Sequence, residues 1–475
     1  MIKLFQTNSI VILAAFVVLF SGISCNNKSE NRNTDSTNGT AYVTTFDNKS
    51  LLKEEKLFNE EPYEHTQVIT IDTTTTYQIM DGFGYTLTGG SAMLLHKMTT
   101  RARAAIIKEI FGNEEEQLNV SYLRISIGSS DLDEKTFSYD DMPNGEKDVD
   151  LEHFSLAYDT IYLIPTLQQI KKVAPNVKIL GSPWSPPRWM KTNNSTKGGS
   201  LLPEYYSSYA NYFVKYIRAM ETNGITIDAI TVQNEPLHPG NNPSLLMLPD
   251  EQKVFVRDYL GPRFQKENIA TKIIIYDHNA DRPDYPITIL DDPEAAKYID
   301  GSAFHLYGGE VNAISQVHEA HPEKNLYFTE QWVGAPGDFA QEMQWHTENL
   351  IIGATRNWCK TVLEWNLAAD EYQDPHTDGG CTQCLGAITL KGDEIERNPA
   401  YYIIGQASRF VPQESVRVAS NLIEGLPNVA FKTPENQVVL IVQNNADKER
   451  EFAIAIHGMK QFVTIPAASV VTYVF

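Results

Sequence analysis

Between residues 78 and 365, short apolar segments alternate with longer amphipathic ones, and this alternation constrains the fold more than any other feature. The short segments have the length and composition of buried strands, and the longer ones have the periodicity of helices. Such alternation is typical of parallel strands joined by crossover helices. Eight strands can be counted, at residues 78–83, 122–127, 177–182, 229–233, 272–276, 301–305, 326–329 and 362–365. Eight units of this kind predict an α/β fold, a (β/α)8 TIM barrel.

The segments between these strands predict helices at residues 100–111, 160–173, 203–222, 250–267 and 339–357. A doubly wound open sheet is the structural alternative, but no glycine-rich dinucleotide-binding turn follows the first predicted strand. The sequence Asp81-Gly-Phe-Gly84 is too short for that motif, and we expect a tight backbone corner there.

Both ends of the chain carry a different pattern, in which apolar and polar residues alternate as they do in half-buried strands. Such segments lie at residues 67–72, 438–443, 452–456 and 469–475, with Asn, Gly and Pro turns between the later ones. They predict an antiparallel sandwich that is built from both chain ends. We therefore expect sandwich strands at 41–77, the barrel at 78–410 and the remaining sandwich at 411–475.

The first 40 residues have a pattern typical of an export and anchoring segment. Lys3 precedes an apolar run at residues 10–20, which ends in small residues just before Cys25 and is too short to span a membrane. We predict a signal peptide at 1–24, lipidation of Cys25, and a polar tether at 25–40 that holds the protein on the outer membrane, cell surface or periplasmic face. The alternative is a plain secreted protein with a free Cys25.

The charge balance excludes some partners. Lys and Arg number 39 and Asp and Glu number 60, which gives a net charge of −21 without a long basic run. Nucleic acids and other polyanions need clustered basic residues, so a neutral substrate is favoured. We expect a monomer that needs no cofactor and touches a membrane only through its lipid.

Three cysteines remain beyond Cys25. Cys381 and Cys384 could be half of a zinc site, but the sequence has no second Cys or His pair at suitable spacing. In an exported chain a local disulfide between them is favoured. Cys359 lies in an apolar stretch and is interpreted as a small buried hydrophobe.

Two of the predicted barrel strands end in glutamates. The fourth strand stops at Asn234 and Glu235, and the seventh at Glu330. Active sites of barrels lie at the carboxyl ends of the strands, where partial desolvation can keep a carboxyl group protonated. Glycoside hydrolysis needs two carboxyl groups, and a separation of about 5 to 5.5 Å is the retaining arrangement. Strands four and seven lie on opposite sides of the ring, so we expect this pair to converge; the alternative for Glu235 is an exposed loop residue.

Aromatic and amide side chains accumulate at the same strand ends. Trp184 follows the third strand, His305 and Tyr307 follow the sixth, and Trp365 ends the eighth between Glu364 and Asn366. A single tryptophan is more often a core residue than a ligand platform. Together with the carboxylates, these clusters form a surface suited to a sugar ring, which has an apolar face and a hydroxyl rim.

The combination of motifs resembles glycoside hydrolase family 30, which includes lysosomal glucosylceramidase and microbial endo-β-1,6-glucanases. The resemblance spans residues 78 to 410 and rests on these segments: Gly82-Phe-Gly84, Leu123-Arg-Ile-Ser126 with Asp131, Ser182-Pro-Trp-Ser-Pro-Pro-Arg-Trp-Met-Lys-Thr192, Thr231-Val-Gln-Asn-Glu-Pro236, His305 with Tyr307, Phe328-Thr-Glu330 and Glu364-Trp-Asn366. It implies the barrel with a composite β-sandwich.

The resemblance also implies roles for individual residues. Glu235 is expected to be the acid/base, Glu330 the nucleophile and Asn234 the partner of the sugar 2-hydroxyl. Asp131, Trp184 and Trp365 are expected to hold the terminal glucose. His305 and Tyr307 are expected to complete the substrate-binding residues, with Arg124, Glu364 and Asn366 supporting them.

The segment Gly379-Gly-Cys-Thr-Gln-Cys384 resembles the microbial glucanase branch of the family and departs from the lysosomal pattern. The leading hypothesis is therefore a retaining endo-β-1,6-glucanase acting on a neutral β-glucan polysaccharide or oligosaccharide. An exo-acting β-glucosidase or glucosylceramidase is the nearest enzymatic alternative. A carbohydrate-binding lipoprotein without catalytic activity is the alternative of another class.

Overall fold

The computed structural model of the chain describes residues 39–58 and 67–475. The predicted signal peptide, Cys25 and most of the predicted tether lie outside the described residues. The first described strand, Thr40–Thr45, begins at the last residue of that tether. No helix within the described part of the chain has the length and apolar character required to cross a membrane.

Eight parallel strands close into a barrel, which confirms the predicted fold class. They are β1 (Gly82–Thr86), β2 (Tyr122–Ser126), β3 (Lys178–Ser182), β4 (Ala229–Thr231), β5 (Lys272–Asn279), β6 (Ile299–His305), β7 (Asn325–Glu330) and β8 (Cys359–Asn366). Each strand pairs with the next along the chain, and β8 pairs with β1 to close the ring.

The predicted corner at Asp81-Gly-Phe-Gly84 is wrong, because Gly82 and Gly84 lie within β1 itself. A Cβ atom at Gly84 would collide with the carbonyl oxygen of Tyr122, so β2 approaches β1 more closely than a side chain allows. The first barrel strand was also expected too early. Gln78 and Ile79 instead end a long strand of the outer sheet, Gln67–Ile79.

Helices follow most of the barrel strands. The α-helices span Gly89–Lys97, Thr100–Phe111, Leu163–Val173, Tyr206–Thr222, Pro249–Phe255, Gly261–Lys266, Asp284–Leu290, Pro293–Ala296, Ile314–Ala320, Phe339–His346 and Pro399–Ser408. Short 3₁₀ turns lie at Arg188–Met190, Pro203–Tyr205 and Val311–Ala313. Two of the predicted helices are interrupted by π-helical turns, at Val256–Leu260 and Thr347–Ala354, which the sequence pattern did not distinguish from α-helix.

Both chain ends build one nine-stranded sheet. Its order is Lys53–Lys56, Thr40–Thr45, Ser469–Val474, Val438–Asn444, Asn428–Lys432, Val416–Ser420, Gln67–Ile79, Arg450–Ile456 and Met459–Ile465. The predicted antiparallel pairing is wrong for one pair, since Arg450–Ile456 runs parallel to Gln67–Ile79. Chain ends that meet in one sheet can pair in either direction, because no tight turn connects these two strands.

The outer sheet packs against the barrel through alternate residues. Val439 and Ile441 belong to the large core shared with the barrel, whereas Val438, Leu440 and Val442 belong to a second core on the other face. This period of two is what a strand buried on both faces requires. The sheet therefore supports the barrel from the side and leaves the carboxyl ends of β1 to β8 to form a site.

Two small sheets lie among the loops that follow β7 and β8. Val333–Gly334 pairs with Cys384–Leu385, and Ala368–Ala369 pairs with Ile388–Lys391, which in turn pairs with Glu394–Arg397. These pairings fold the segment after β8 back over the end of the barrel.

Candidate active site

A cavity of about 360 Å³ opens at the carboxyl ends of the barrel strands. It is lined mainly by carboxylates, aromatic rings, amides and a disulfide, from Asp131, Trp184, Glu235, His238, Asn241, His278, Asn279, Tyr307, Glu330, Trp332, Trp365, Cys381 and Cys384. Of the residues predicted from sequence to bind substrate, Asp131, Trp184, Tyr307 and Trp365 line it. Asn234 and His305 do not line it but are buried beside lining residues, since His305 contacts Glu235 and Asn234 shares Arg124 with Glu330.

The two predicted carboxylates meet in this cavity. Glu330 is the last residue of β7, and Glu235 lies four residues beyond the end of β4. Glu235 adopts a left-handed backbone conformation with φ of 45°, and its N–H donates to the carbonyl oxygen of Asp277 at 3.0 Å. One carboxylate oxygen of Glu235 lies within 4.8 Å of one carboxylate oxygen of Glu330. This close approach favours the retaining arrangement, with carboxyl groups about 5 to 5.5 Å apart, over the inverting one, which needs about 6.5 Å or more.

Arg124 links three side chains of the site through hydrogen bonds. Its Nη1 donates to Glu330 Oε2 at 2.5 Å, and its Nη2 donates to Asn234 Oδ1 at 2.6 Å and to Asp277 Oδ2 at 2.8 Å. The guanidinium is completely buried, and its central carbon lies 4.8 Å from the centre of the Trp184 ring. A buried cation of this kind is tolerated only when its donors are matched by carboxylates and amides.

Asp277 is a central site residue that sequence reasoning missed, as it missed Trp332 and His278 in the cavity wall. It is fully buried at the end of β5, where one carboxylate accepts hydrogen bonds from five groups: Arg124, His305, Ser182, Thr231 and Thr329. Burial alone would raise the pKa of Asp277, but Arg124 and His305 hold it well below its ordinary value. The signal was present in the sequence, because Asp277 follows an apolar strand just as Glu235 and Glu330 do.

The backbone near the end of β5 departs from regular strand geometry. Tyr276 and Asp277 both have left-handed φ values, of 71° and 66°, and the pairing with β6 shifts register at this point. Non-glycine residues adopt this conformation at a free-energy cost and are held there by the surrounding structure. At this kink the Asp277 carboxylate meets Arg124 and His305, and the following residues, His278 and Asn279, line the cavity.

His305 lies between the carboxylates of Asp277 and Glu235. Its Nε2 lies 3.2 Å from Asp277 Oδ1 and its Nδ1 lies 3.1 Å from Glu235 Oε1. Burial lowers the pKa of His305, but the charge of Glu330 and the hydrogen bonds with Asp277 and Glu235 raise it to about 9. An imidazolium donates from both nitrogens.

Glu235, His305 and Glu330 could by spacing alone hold a divalent cation, since one ligand atom from each lies within 4.8 Å of the others. A metal would first have to displace the proton on the His305 nitrogen that faces Glu235, because metals bind neutral imidazole. The donor set is therefore better suited to holding a proton than a metal.

The pKa values of the acidic groups in the cavity diverge. Burial acts to raise the pKa of Glu235, but the hydrogen bond and charge of His305 lower it below its ordinary value. Burial raises the pKa of Glu330, although His305 and Arg124 act against this. Burial and the charge of Glu330 raise the pKa of Asp131 to about 7. Carboxyl groups with separated pKa values are what acid/base chemistry requires.

Aromatic rings form the wall beside the carboxylates. The Trp184 and Trp365 rings lie 5.3 Å apart at an interplanar angle of 31°. The Tyr307 hydroxyl donates to Glu330 Oε1 at 3.0 Å. Trp332, two residues beyond Glu330, adds a ring that was not predicted from the sequence. Such a wall can bind the apolar face of a sugar.

Glu364 and Asn366 lie outside the cavity, although they flank Trp365. Alternate residues of a strand face opposite sides. Glu364 Oε1 lies 2.7 Å from His346 Nδ1, and Asn366 Oδ1 accepts a hydrogen bond from Ser91 Oγ at 2.8 Å. Both therefore fix β8 to neighbouring helices, and any support they give to the site acts through Trp365.

The sequence matches the glycosyl hydrolase family 30 TIM-barrel domain over residues 80–411. The chain belongs to glycosyl hydrolase family 30. Residues 414–473 match the beta sandwich domain of the same family, so the family predicted from the motifs is confirmed.

Several known proteins are similar in sequence to this chain over most of its length. It is 31% identical to the endo-1,6-beta-D-glucanase neg1 of Aspergillus fumigatus, across 86% of this chain and 88% of that one. It is 27% identical to the lysosomal acid glucosylceramidase of Mus musculus, across 86% and 83%. A solved endo-beta1,6-glucanase superposes with a TM-score of 0.86 at 34% identity, covering 92% of this chain and 98% of its own.

The buried charge network gives a first testable prediction. We expect Asp277→Asn to lower the free energy of unfolding by about 3 kcal/mol or more, because it leaves Arg124 and His305 without their shared counter-charge. The folded-state pKa of Asp277 is depressed, so its stabilisation is present above the unfolded pKa of about 3.9 and is lost only in stronger acid. The deficit should therefore stay constant in urea unfolding between about pH 5 and 6, and shrink above the unfolded histidine pKa of about 6.5, because Asp277 also helps His305 to hold its proton in the folded wild type.

The matched control is Asp284→Asn, which breaks an exposed ion pair with Arg282. Exposed pairs contribute about 1 kcal/mol or less. Equal losses in the two variants would contradict the central role of Asp277.

Proposed function

We propose that this chain is an endo-β-1,6-glucanase that retains the configuration of the cleaved sugar through a covalent glycosyl-enzyme. The observation that carries the proposal is the pair of buried glutamates that follow β4 and end β7, with one carboxylate oxygen of each within 4.8 Å of the other. Tryptophans and a carboxylate surround them in a cavity of sugar dimensions. The chain's negative charge also favours a neutral substrate over an anionic one.

In the first step, a Glu330 oxygen attacks the anomeric carbon while the glycosidic C–O bond breaks. Glu235 gives its proton to the departing oxygen. Arg124 and Tyr307 each donate to one oxygen of Glu330, which holds the nucleophile in one orientation. In the second step, Glu235 removes a proton from water, which attacks the same carbon and releases Glu330.

This sequence requires the proton on Glu235 when substrate is bound, whereas the pKa order of the empty cavity favours it on Glu330. A bound sugar excludes water, which strengthens the hydrogen bonds that Arg124 and Tyr307 donate to ionised Glu330. The glycosidic oxygen meanwhile offers Glu235 an acceptor. We propose that substrate binding moves the proton to Glu235, so that the site becomes competent only when it is filled.

The preference for β-1,6 linkages is supported by relatives of that activity in fungi, at 29% to 33% identity. On a pure β-1,6-glucan, we expect a ladder of oligosaccharides from the earliest time points, because an endo enzyme cuts within the chain. Chromatography of the products over time makes the measurement, with β-1,3- and β-1,4-glucans, xylan and glucosylceramide as comparison substrates. Glucose as the only product at every time would instead indicate an exo-acting enzyme.

The roles of the two glutamates can be separated with azide. Glu235→Ala should still form the glycosyl-enzyme from a dinitrophenyl β-glycoside, because that phenol leaves without acid assistance. A burst of phenol should appear, and azide, which needs no deprotonation, should accelerate turnover and yield the β-glycosyl azide. Glu330→Ala should give only the α-azide of a single inversion.

The anomeric configuration of each azide is read by nuclear magnetic resonance. The wild-type enzyme with azide is the control and should release the ordinary sugar. An α-azide from the Glu235 variant would show that the two roles are reversed.

We also propose that the protein is exported and anchored through lipid on Cys25. The support is the apolar run followed by small residues before Cys25 and a polar segment. In a Gram-negative host grown with a labelled fatty acid, the wild-type chain should carry label and sediment with membranes. Cys25→Ser should lose the label. Release of an unlabelled wild-type chain into the soluble fraction would favour plain secretion.

A further inference from the structure

The Cys381–Cys384 disulfide lies in the wall of the cavity, although the proposed chemistry gives it no part. Both cysteines line the same cavity as Glu235 and Glu330. A bridge across a separation of three residues closes too short a loop to be a major source of global stability. Its position suggests a local task instead.

The disulfide packs directly on the aromatic wall. Cys384 is 4% exposed and shares a compact cluster with Leu132, Trp184 and Trp365. Cys381 and Trp332 pack against the outside of this cluster. The bridge therefore covers the edge of the two rings proposed to bind the sugar.

The segment that carries the bridge is attached to both sides of the site. On one side, Cys384 pairs with Gly334 and Leu385 with Val333, three residues beyond Glu330. On the other side, the N–H of Thr377 donates to the carbonyl oxygen of Asp131 at 2.9 Å. The backbone N–H of Cys381 acts on the Asp131 carboxylate, whose pKa it lowers against the effect of burial.

We propose that the disulfide is a positioning element for sugar binding. It holds Cys384 against Trp184 and Trp365 and Cys381 against the outside of the same cluster, so that substrate binds tightly only while the bridge is intact. Reduction by a dithiol breaks the S–S bond, adds a proton and an electron to each sulfur, and oxidises the dithiol to its own disulfide. The freed sulfurs must then separate from about 2 Å to van der Waals distance, which disturbs a wall where shifts of about 1 Å matter.

The test compares kinetics and stability of Cys381→Ser/Cys384→Ser with those of the wild type, on nitrophenyl β-gentiobioside. We expect KM to rise at least about tenfold while kcat changes by less than about threefold, because the wall contacts substrate in both ground and transition states. The melting temperature should fall by no more than about 3 °C. Dithiothreitol should raise the KM of the wild type to the level of the variant, reoxidation should restore it, and the variant should not respond.

Two controls keep the outcome decisive. Cys359→Ala removes the other described cysteine, which is buried outside the cavity and unpaired, and should respond to dithiothreitol as the wild type does. If the double variant does not fold, the reversible reduction of the wild type at 25 °C remains the test. An unchanged KM on loss of the bridge would overturn the proposal.

The inference rests on the proposed function, and the two fail in different ways. A wild-type enzyme that cleaves none of the β-glycosides tested would remove the function itself. An active wild type with a KM indifferent to the bridge would remove only the role of the disulfide.

Discussion

The site depends on one buried cation and the carboxylates that surround it. Arg124 is completely inaccessible to water, and it is tolerated because Asp277 and Glu330 both accept its hydrogen bonds. These side chains come from β2, β5 and β7, which lie at different places around the ring. The network therefore joins the strands at their carboxyl ends and fixes the orientation of Glu330. Asn234 and His305 complete it and connect the same charges to Glu235.

Much of this arrangement could be predicted from the sequence, because the active sites of (β/α)8 barrels lie at the carboxyl ends of the strands. Apolar strands that end abruptly in Glu235 and Glu330 indicated which carboxylates share the mouth of the barrel. The aromatic clusters at Trp184 and Trp365 followed from the same rule. Helix 100–111 was predicted with its observed bounds, since its apolar periodicity is regular and uninterrupted.

The other features of the site and the helices could not be predicted, because they depend on backbone detail that residue patterns do not encode. The apolar run 272–276 marks the position of Asp277, but its inward direction depends on the left-handed backbone of Tyr276 and Asp277, which the residue pattern does not show. Glu364 was grouped with Trp365 by proximity along the chain, yet alternation within β8 directs it to His346 instead. The π-helical turns within two predicted helices share the apolar content of α-helix, so their extra residue per turn leaves no separate signal.

The order of the outer sheet has a consequence for how the chain is made. Strand Ser469–Val474 lies in the interior of the sheet, between Thr40–Thr45 and Val438–Asn444, rather than at an edge. Early in synthesis Thr40–Thr45 has only Lys53–Lys56 as a neighbour, and its other partner, Ser469–Val474, emerges after more than 400 further residues. Synthesis of that length takes tens of seconds at about 5–20 residues per second. During that interval the amino-terminal strands remain incompletely paired, a state compatible with transport across a membrane before folding. A premature stop codon that removed only the last strand would divide the sheet into two parts, whereas loss of an edge strand would only make it narrower.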